Sequence, residues 1–284
     1  MNPPSKRWHA RMRLGFAPQG TTRSVLCERT HEGPMRVLRP LYPEGPSICH
    51  VAVLHPPSGI AGGDAIDLAF SVEAGAHATL TTPGATRWYK ANGNHARQSV
   101  HITVAGGARF EWLPLENIFF EQADAALDTE IDVQPGARAM GWEISQLGSI
   151  AQQPHWAQGK ARTQTALRHD GRLIWIEQGT VGAADAIRRR VTGLDGLPVF
   201  ATLWCFGPET TREANEALTA MMPWGCRLRA AATTIPAGGR DALYLVRALG
   251  LHTEEVRELF VRAWMHLRRQ VFQVDAAPLR LWST

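Results

Sequence analysis

Leu127–Glu143 reads LDTEIDVQPGARAMGWE, and two earlier segments follow its plan, Ile66–Thr82 (IDLAFSVEAGAHATLTT) and Ser99–Pro114 (SVHITVAGGARFEWLP). In each, an alternating run ends in Val, two residues intervene, Gly-Ala follows, and a second run begins. The glycines are Gly75, Gly107 and Gly136, spaced 32 and 29 residues apart. Alternating β-branched and aromatic residues turn one face of a strand inward, and glycine supplies the positive φ that a tight connection needs. No helical pattern intervenes, so the repeat favours a β-sandwich, a barrel or a solenoid-like stack over a parallel α/β sheet. Thr233–Leu245 (TTIPAGGRDALYL) reads as a weaker fourth copy, and Asp170-Gly171 as a turn entering a strand.

Outward from the repeat, the basic start (Lys6, Arg7, Arg11, Arg13) runs into Gly15, Pro18 and Gly20, and residues 1–20 are expected to form a flexible tail. Residues 21–284 then form a single domain, β-rich to about residue 205, with helices within 208–222 and 253–270. Thr253 is placed to N-cap the second helix, whose first turn carries Glu254 and Glu255 and whose last turns carry Arg268 and Arg269. Val256, Leu259, Phe260, Ala263, Trp264, Leu267 and Val271 trace one apolar face at a 3.6-residue period. Trp264 is accordingly assigned to packing. An edge bearing Arg257, Arg268 and Arg269 is left to solvent or a partner.

Apolar residues make up 44% of the 284 and charged residues 20%, a globular balance far from that of disordered chains. No run approaches the ~18 apolar residues of a membrane span, and the basic start leads into no apolar signal core, so a cytoplasmic protein is expected. The net charge is only +4, and Arg188-Arg189-Arg190 has no interleaved aromatics, so nucleic acid is not expected as a partner. Cys27, Cys49, Cys205 and Cys226 form no C-x-x-C, which argues against zinc or redox chemistry.

The segment His55–Asp64 combines two prolines and three glycines in an irregular turn between two strands, with His55 and Asp64 at its ends. It lacks the lysine and spacing of a phosphate loop. Glu111 and Glu116 are five residues apart, on opposite faces of a strand, and do not make an acid/base pair unless the chain bends at Pro114. No serine elbow is present. The eleven histidines include no H-x-H, H-x-x-H or H-x-x-x-H, which disfavours a tight metal site and leaves room only for a weak transit route for an ion such as nickel.

Taken together, Gly33–Pro40 (GPMRVLRP), Tyr42–Gly45 (YPEG), Cys49-His50-Val51 and the His55–Asp64 turn resemble the urease accessory protein D family. So do Thr81–Ala85 with Tyr89, Glu111–Pro114 with Glu116, Trp142-Glu143, and the ending Leu279–Thr284 (LRLWST). Ser58, Leu115 and Leu279 depart from the family's usual Gly, Gln and Pro. The resemblance implies a mainly β, flattened β-helical stack with about two C-terminal helices, and a non-enzymatic chaperone. It implies partnership with accessory protein F, with the GTPase accessory protein G and with apo-urease, and no tightly bound cofactor, with nickel in transit. On that footing His55, Asp64, Glu116 and Glu143 are the candidate nickel path, and Arg257, Arg268 and Arg269 the candidate contact for accessory protein F. The competing class is a carbohydrate-active β-solenoid hydrolase or lyase, suggested by the repeat and by Trp88 and Trp112. It requires a cleft with paired carboxylates.

Overall fold

A computed structural model describes residues 7–57, 59–149, 156–276 and 278–283. The chain opens with β1 (His9–Gln19) and β2 (Arg23–Glu32), an antiparallel pair, followed by β3 (Arg36–Val37), β4 (Cys49–Leu54) and β5 (Gly59–Ile60). Regular winding then sets in. One coil comprises β6 (Ala65–Val72), β7 (His77–Thr81) and β8 (Thr86–Trp88); the next comprises β9 (Ala96–Val104), β10 (Arg109–Leu113) and β11 (Asn117–Phe119). A third holds β12 (Asp124–Val133) and β13 (Arg138–Leu147), after which β14 (Lys160–His169) turns back antiparallel into β15 (Arg172–Gly182). The remainder is β16 (Val199–Pro208), α1 (Arg212–Ala220), β17 (Leu228–Gly238), β18 (Asp241–Gly250) and α2 (Thr253–Leu267).

The three quoted segments are β6–β7, β9–β10 and β12–β13, stacked in parallel so that Val72 pairs with Val104 and Val104 with Val133. Between strands, Ala76, Ala108 and Ala137 each donate a backbone N–H to the residue three positions back at 3.0 Å. Gly75, Gly107 and Gly136 sit there at φ of 83°, 77° and 80°, the third position of a type II turn. The result is a β-solenoid of about 4 turns. One sheet runs β15-β14-β12-β9-β6-β1-β2 and the other β17-β18-β16-β13-β10-β7-β4-β3. Strand alternation divides the side chains: Phe110 and Trp112 enter the core between the sheets, whereas Leu113 joins a second core under α2. There Val256, Leu259, Phe260, Ala263, Trp264 and Leu267 are all buried, which confirms the assignment of Trp264 to packing.

Four expectations change. Residues 9–19 are no tail: Ala10, Met12, Leu14 and Phe16 are buried on β1 while His9, Arg11 and Arg13 alternate with them, so the basic residues decorate the solvent side of a strand paired parallel to β6. Thr233–Leu245 is not a further coil but part of the antiparallel β17–β18 hairpin, because Gly238 and Gly239 both take positive φ, 97° and 66°, and reverse the chain. His252, not Thr253, is the N-cap of α2, with no side-chain capping bond. Trp88 and Trp112 are buried in the core rather than displayed for a sugar. Ser58 lies outside the described residues, as does Lys6. Cys49 and Cys205 are buried, whereas Cys27 and Cys226 are exposed, and all four are free thiols.

The irregular His55–Asp64 turn is set by close approach. A Cβ on Gly62 would stand 1.8 Å from the carbonyl oxygen of Ala91, whereas one on Gly84 would meet nothing within 4 Å. Gly62→Ala should therefore destabilise the protein by about 3 kcal/mol, the upper end for over-packing, while Gly84→Ala should stay within about 0.5 kcal/mol of the parent. Urea unfolding of the two variants measures the contrast, and equal stabilities would contradict the close-packed turn.

Candidate functional site

Two features on opposite faces of the helix-bearing sheet hold the chemistry. The first is a cavity of about 320 Å³ between the two sheets. Its polar lining includes Gln98, Thr129 and Thr165 from one sheet, Glu143 from the other, and His55 from the turn after β4. Glu143 faces it because β13 alternates: Ala139 and Leu147, an even number of residues away, belong to the intersheet core, whereas Met140, Trp142 and Ile144 face α2. Burial, then the charge of Glu177, pushes the Glu143 carboxyl up to about 8. Burial likewise lowers His55, against a smaller opposing pull from Asp64. At neutral pH the cavity therefore presents a neutral imidazole, able to donate a lone pair, and a protonated carboxyl that must release its proton before it can hold a cation.

The second feature lies under α2. On β10 the alternation that sends Phe110 and Trp112 inward turns Glu111 toward the helix, where no part of it reaches solvent. It accepts hydrogen bonds from His77 Nε2 at 2.8 Å, Thr79 Oγ1 at 2.9 Å, Trp264 Nε1 at 2.6 Å and Arg268 Nε at 3.1 Å. Arg268, also fully buried, donates through Nη1 and Nη2 to Glu44 and through Nη1 to the carbonyl of Asp275. His50 pairs with Glu44 at 2.8 Å. Burial alone would raise Glu111, but the His77 hydrogen bond and the Arg268 charge hold it at about 2. Burial would lower Arg268, and Glu111 with Glu44 reverse the sign. His77 is pulled down by burial and stays neutral.

Of the four residues assigned to a metal path, His55 and Glu143 both line the cavity. The other two do not. Asp64 accepts from the backbone N–H of Trp8 at 2.9 Å and of Ala61 at 3.0 Å, the role of a turn residue. Glu116 turns to α2 and pairs with Arg257 at 3.1 Å. Among the arginines, Arg269 is exposed, Arg257 is engaged with Glu116, and Arg268 is not on an edge at all. The reason is positional: residue 268 is four beyond Trp264 and so continues the buried stripe, and the helix widens there into a π-turn over Arg268–Phe272. That spacing, with Glu111 left over from the β10 pattern, was the available signal for the pair. Glu44 and His77 carried none. Among the described residues no group of three or more His, Cys, Asp or Glu is placed to hold a metal ion. Glu143 is the single carboxylate residue among the described residues that line the cavity, so these residues do not assemble the paired acids of a glycosidase there. Among the described residues no helix is long and apolar enough to cross a membrane.

Comparison with known proteins gives a consistent picture. The family model described as UreD urease accessory protein matches residues 9–283. A urease accessory protein UreD of Bordetella pertussis is 55% identical over 278 residues, covering 98% of this chain and 98% of its own. Those of Cupriavidus necator and Delftia acidovorans are 47% and 41% identical, each covering 98% of this chain and 95% of its own.

Two titrations test the electrostatics. Glu111 has a folded value near 2 against 4.5 unfolded, so its stabilisation is complete above pH 4.5 and is lost as pH falls from there toward 2, on the order of 3 kcal/mol in all. Glu111→Gln should cost about 3–5 kcal/mol at pH 7, because Arg268 is left buried with half its counter-charge, and should flatten the acid limb in urea unfolding from pH 6 to 2. For Glu143 the sign is opposite. Its folded value lies above its unfolded one, so the parent loses stability as pH rises from 4.5 to about 8. Glu143→Gln should match the parent near pH 4 and exceed it at pH 8; a lower melting temperature at pH 8 would refute the assignment.

Proposed function

The chain belongs to the UreD family of urease accessory proteins, and on that premise we propose that it is a maturation chaperone that helps insert nickel into apo-urease with accessory proteins F and G. It performs no bond-making step of its own on this reading; GTP hydrolysis belongs to the partner GTPase. The observation that carries the proposal is the intersheet cavity with His55 and Glu143 on its wall. Nickel accepts imidazole and carboxylate ligands, and two protein donors are too few for tight capture, so the cation is a passing cargo. The raised carboxyl of Glu143 sharpens this: each ion held there displaces a proton, and affinity falls as pH drops below about 8. Arg269, with Arg257 at the flank of α2, is the proposed contact for accessory protein F. Arg268 is withdrawn from that role by its burial.

The decisive experiment expresses the urease structural and accessory genes with and without this one and measures nickel in the purified urease and its ureolysis. Loss of nickel and activity is expected on deletion, and unchanged active urease would overturn the maturation role. A second arm combines His55→Ala with Glu143→Gln. Urease nickel content should drop at least tenfold while the variant still co-purifies with urease; full loading would remove the conduit and leave the accessory role standing.

A further inference from the structure

The outer face of the helix-bearing sheet ends, at the Gly-Ala turns, in a row of paired positions: His77 on β7, Arg109 on β10 and Arg138 on β13. Strands in register lie about 4.8 Å apart, so two guanidinium groups leave neighbouring strands on the same face. Three other strand arginines are neutralised by carboxylates on neighbouring strands, Arg97 by Asp67, Arg162 by Asp128 and Arg247 by Glu177. Among the described residues, neither Arg109 nor Arg138 has a carboxylate within ion-pair distance, and Nη1 of Arg138 is buried with no hydrogen-bond partner at all. Burial, then the charge of Arg138, lowers Arg109. The exposed acid Glu209, two residues beyond the Gly207 that floors this corner, makes no ion pair among the described residues.

Packing, not salt bridging, fixes the pair. A Cβ on Gly207 would lie 2.5 Å from Cγ1 of Val271 and 3.4 Å from Cγ of Arg138, so the π-turn after α2 presses down where the Arg138 stem passes. Phe272 lies over His77 with ring centroids 5.8 Å apart. A buried cationic N–H without an acceptor is costly, and two adjacent like charges add to that cost. Both costs vanish if one anion sits between the forks, since guanidinium presents paired donors matched to two oxygens.

We propose that Arg109 and Arg138 form an oxyanion-binding clamp, a site for a carboxylate or phosphate group. The group is either a free anion or an acidic side chain of a docking protein. The clamp is independent of the nickel cavity, which opens on the other face of the sheet.

Thermal melts and calorimetry on the purified full chain test it, with inorganic phosphate and with glutarate against sodium chloride at matched ionic strength. One oxyanion should bind saturably at one per chain and raise the melting temperature, with at least tenfold weaker binding in Arg109→Gln and in Arg138→Gln. Arg168→Gln, an exposed arginine on the opposite sheet, should bind as the parent does. Arg109→Lys keeps the charge and loses the fork, so it stays folded by circular dichroism and still binds more weakly. Binding of phosphate identifies a free anion as the occupant, and binding of glutarate alone identifies a carboxylate side chain; either supports the clamp. No preference over chloride, or undiminished binding in both Gln variants, overturns it.

Discussion

A single buried arginine organises the helical side of this protein. Arg268 reaches no solvent, and its charge is tolerable only because Glu111 and Glu44 close on it from two different parts of the solenoid while Asp275 contributes a carbonyl. Apolar burial of the Phe260 and Trp264 stripe would hold α2 on the sheet in many rotations and slides. The ion pairs permit one. They register the helix against β10 through Glu111 and against the loop before β4 through Glu44, and Trp264 Nε1 adds a third directional bond, to Glu111. Apolar area supplies most of the adhesion, and the charges select the geometry.

The solenoid was legible because its repeat is a local code. Three Val-x-x-Gly-Ala units each encode a strand, a type II turn and another strand, and nothing distant is needed to read them. Reading failed where two signals overlapped. In β1 the arginines mask the period-two set Ala10, Met12, Leu14 and Phe16, so a strand carries the composition of a basic tail. At Arg268 charge suggested solvent while the i+4 spacing from Trp264 pointed to the core; the spacing prevailed because carboxylates were waiting beneath. Those carboxylates lie 157 and 224 residues away in the chain, a distance over which no local pattern carries information.

The cavity shows the same division. His55 and Glu143 stand out as polar residues in unusual settings, and the alternation on β13 brings Glu143 to face the opposing sheet. Asp64 and Glu116 looked equivalent in sequence yet serve a backbone turn and a helix-edge ion pair. What separates the two pairs is the direction of a side chain relative to a sheet, and a one-residue change in phase inverts it.

The span between Glu44 and Arg268 also orders events during synthesis. Each coil pairs with a neighbour about 30 residues away, so the stack is wound by short loop closures as the chain emerges, N-terminal coils first. The α2 face cannot close at that stage. Until residue 268 leaves the ribosome, Glu44, Glu111 and the apolar patch around Trp142 stand open to water, and the nascent chain is a wound but unsealed stack. Sealing waits on Phe260, Trp264 and Arg268, so a chain that stops before α2 is left as a ribbon with an exposed greasy flank, the kind of surface that quality-control chaperones and proteases recognise. A sealed flank is thereby the sign, written into the tertiary structure, that α2 has been made.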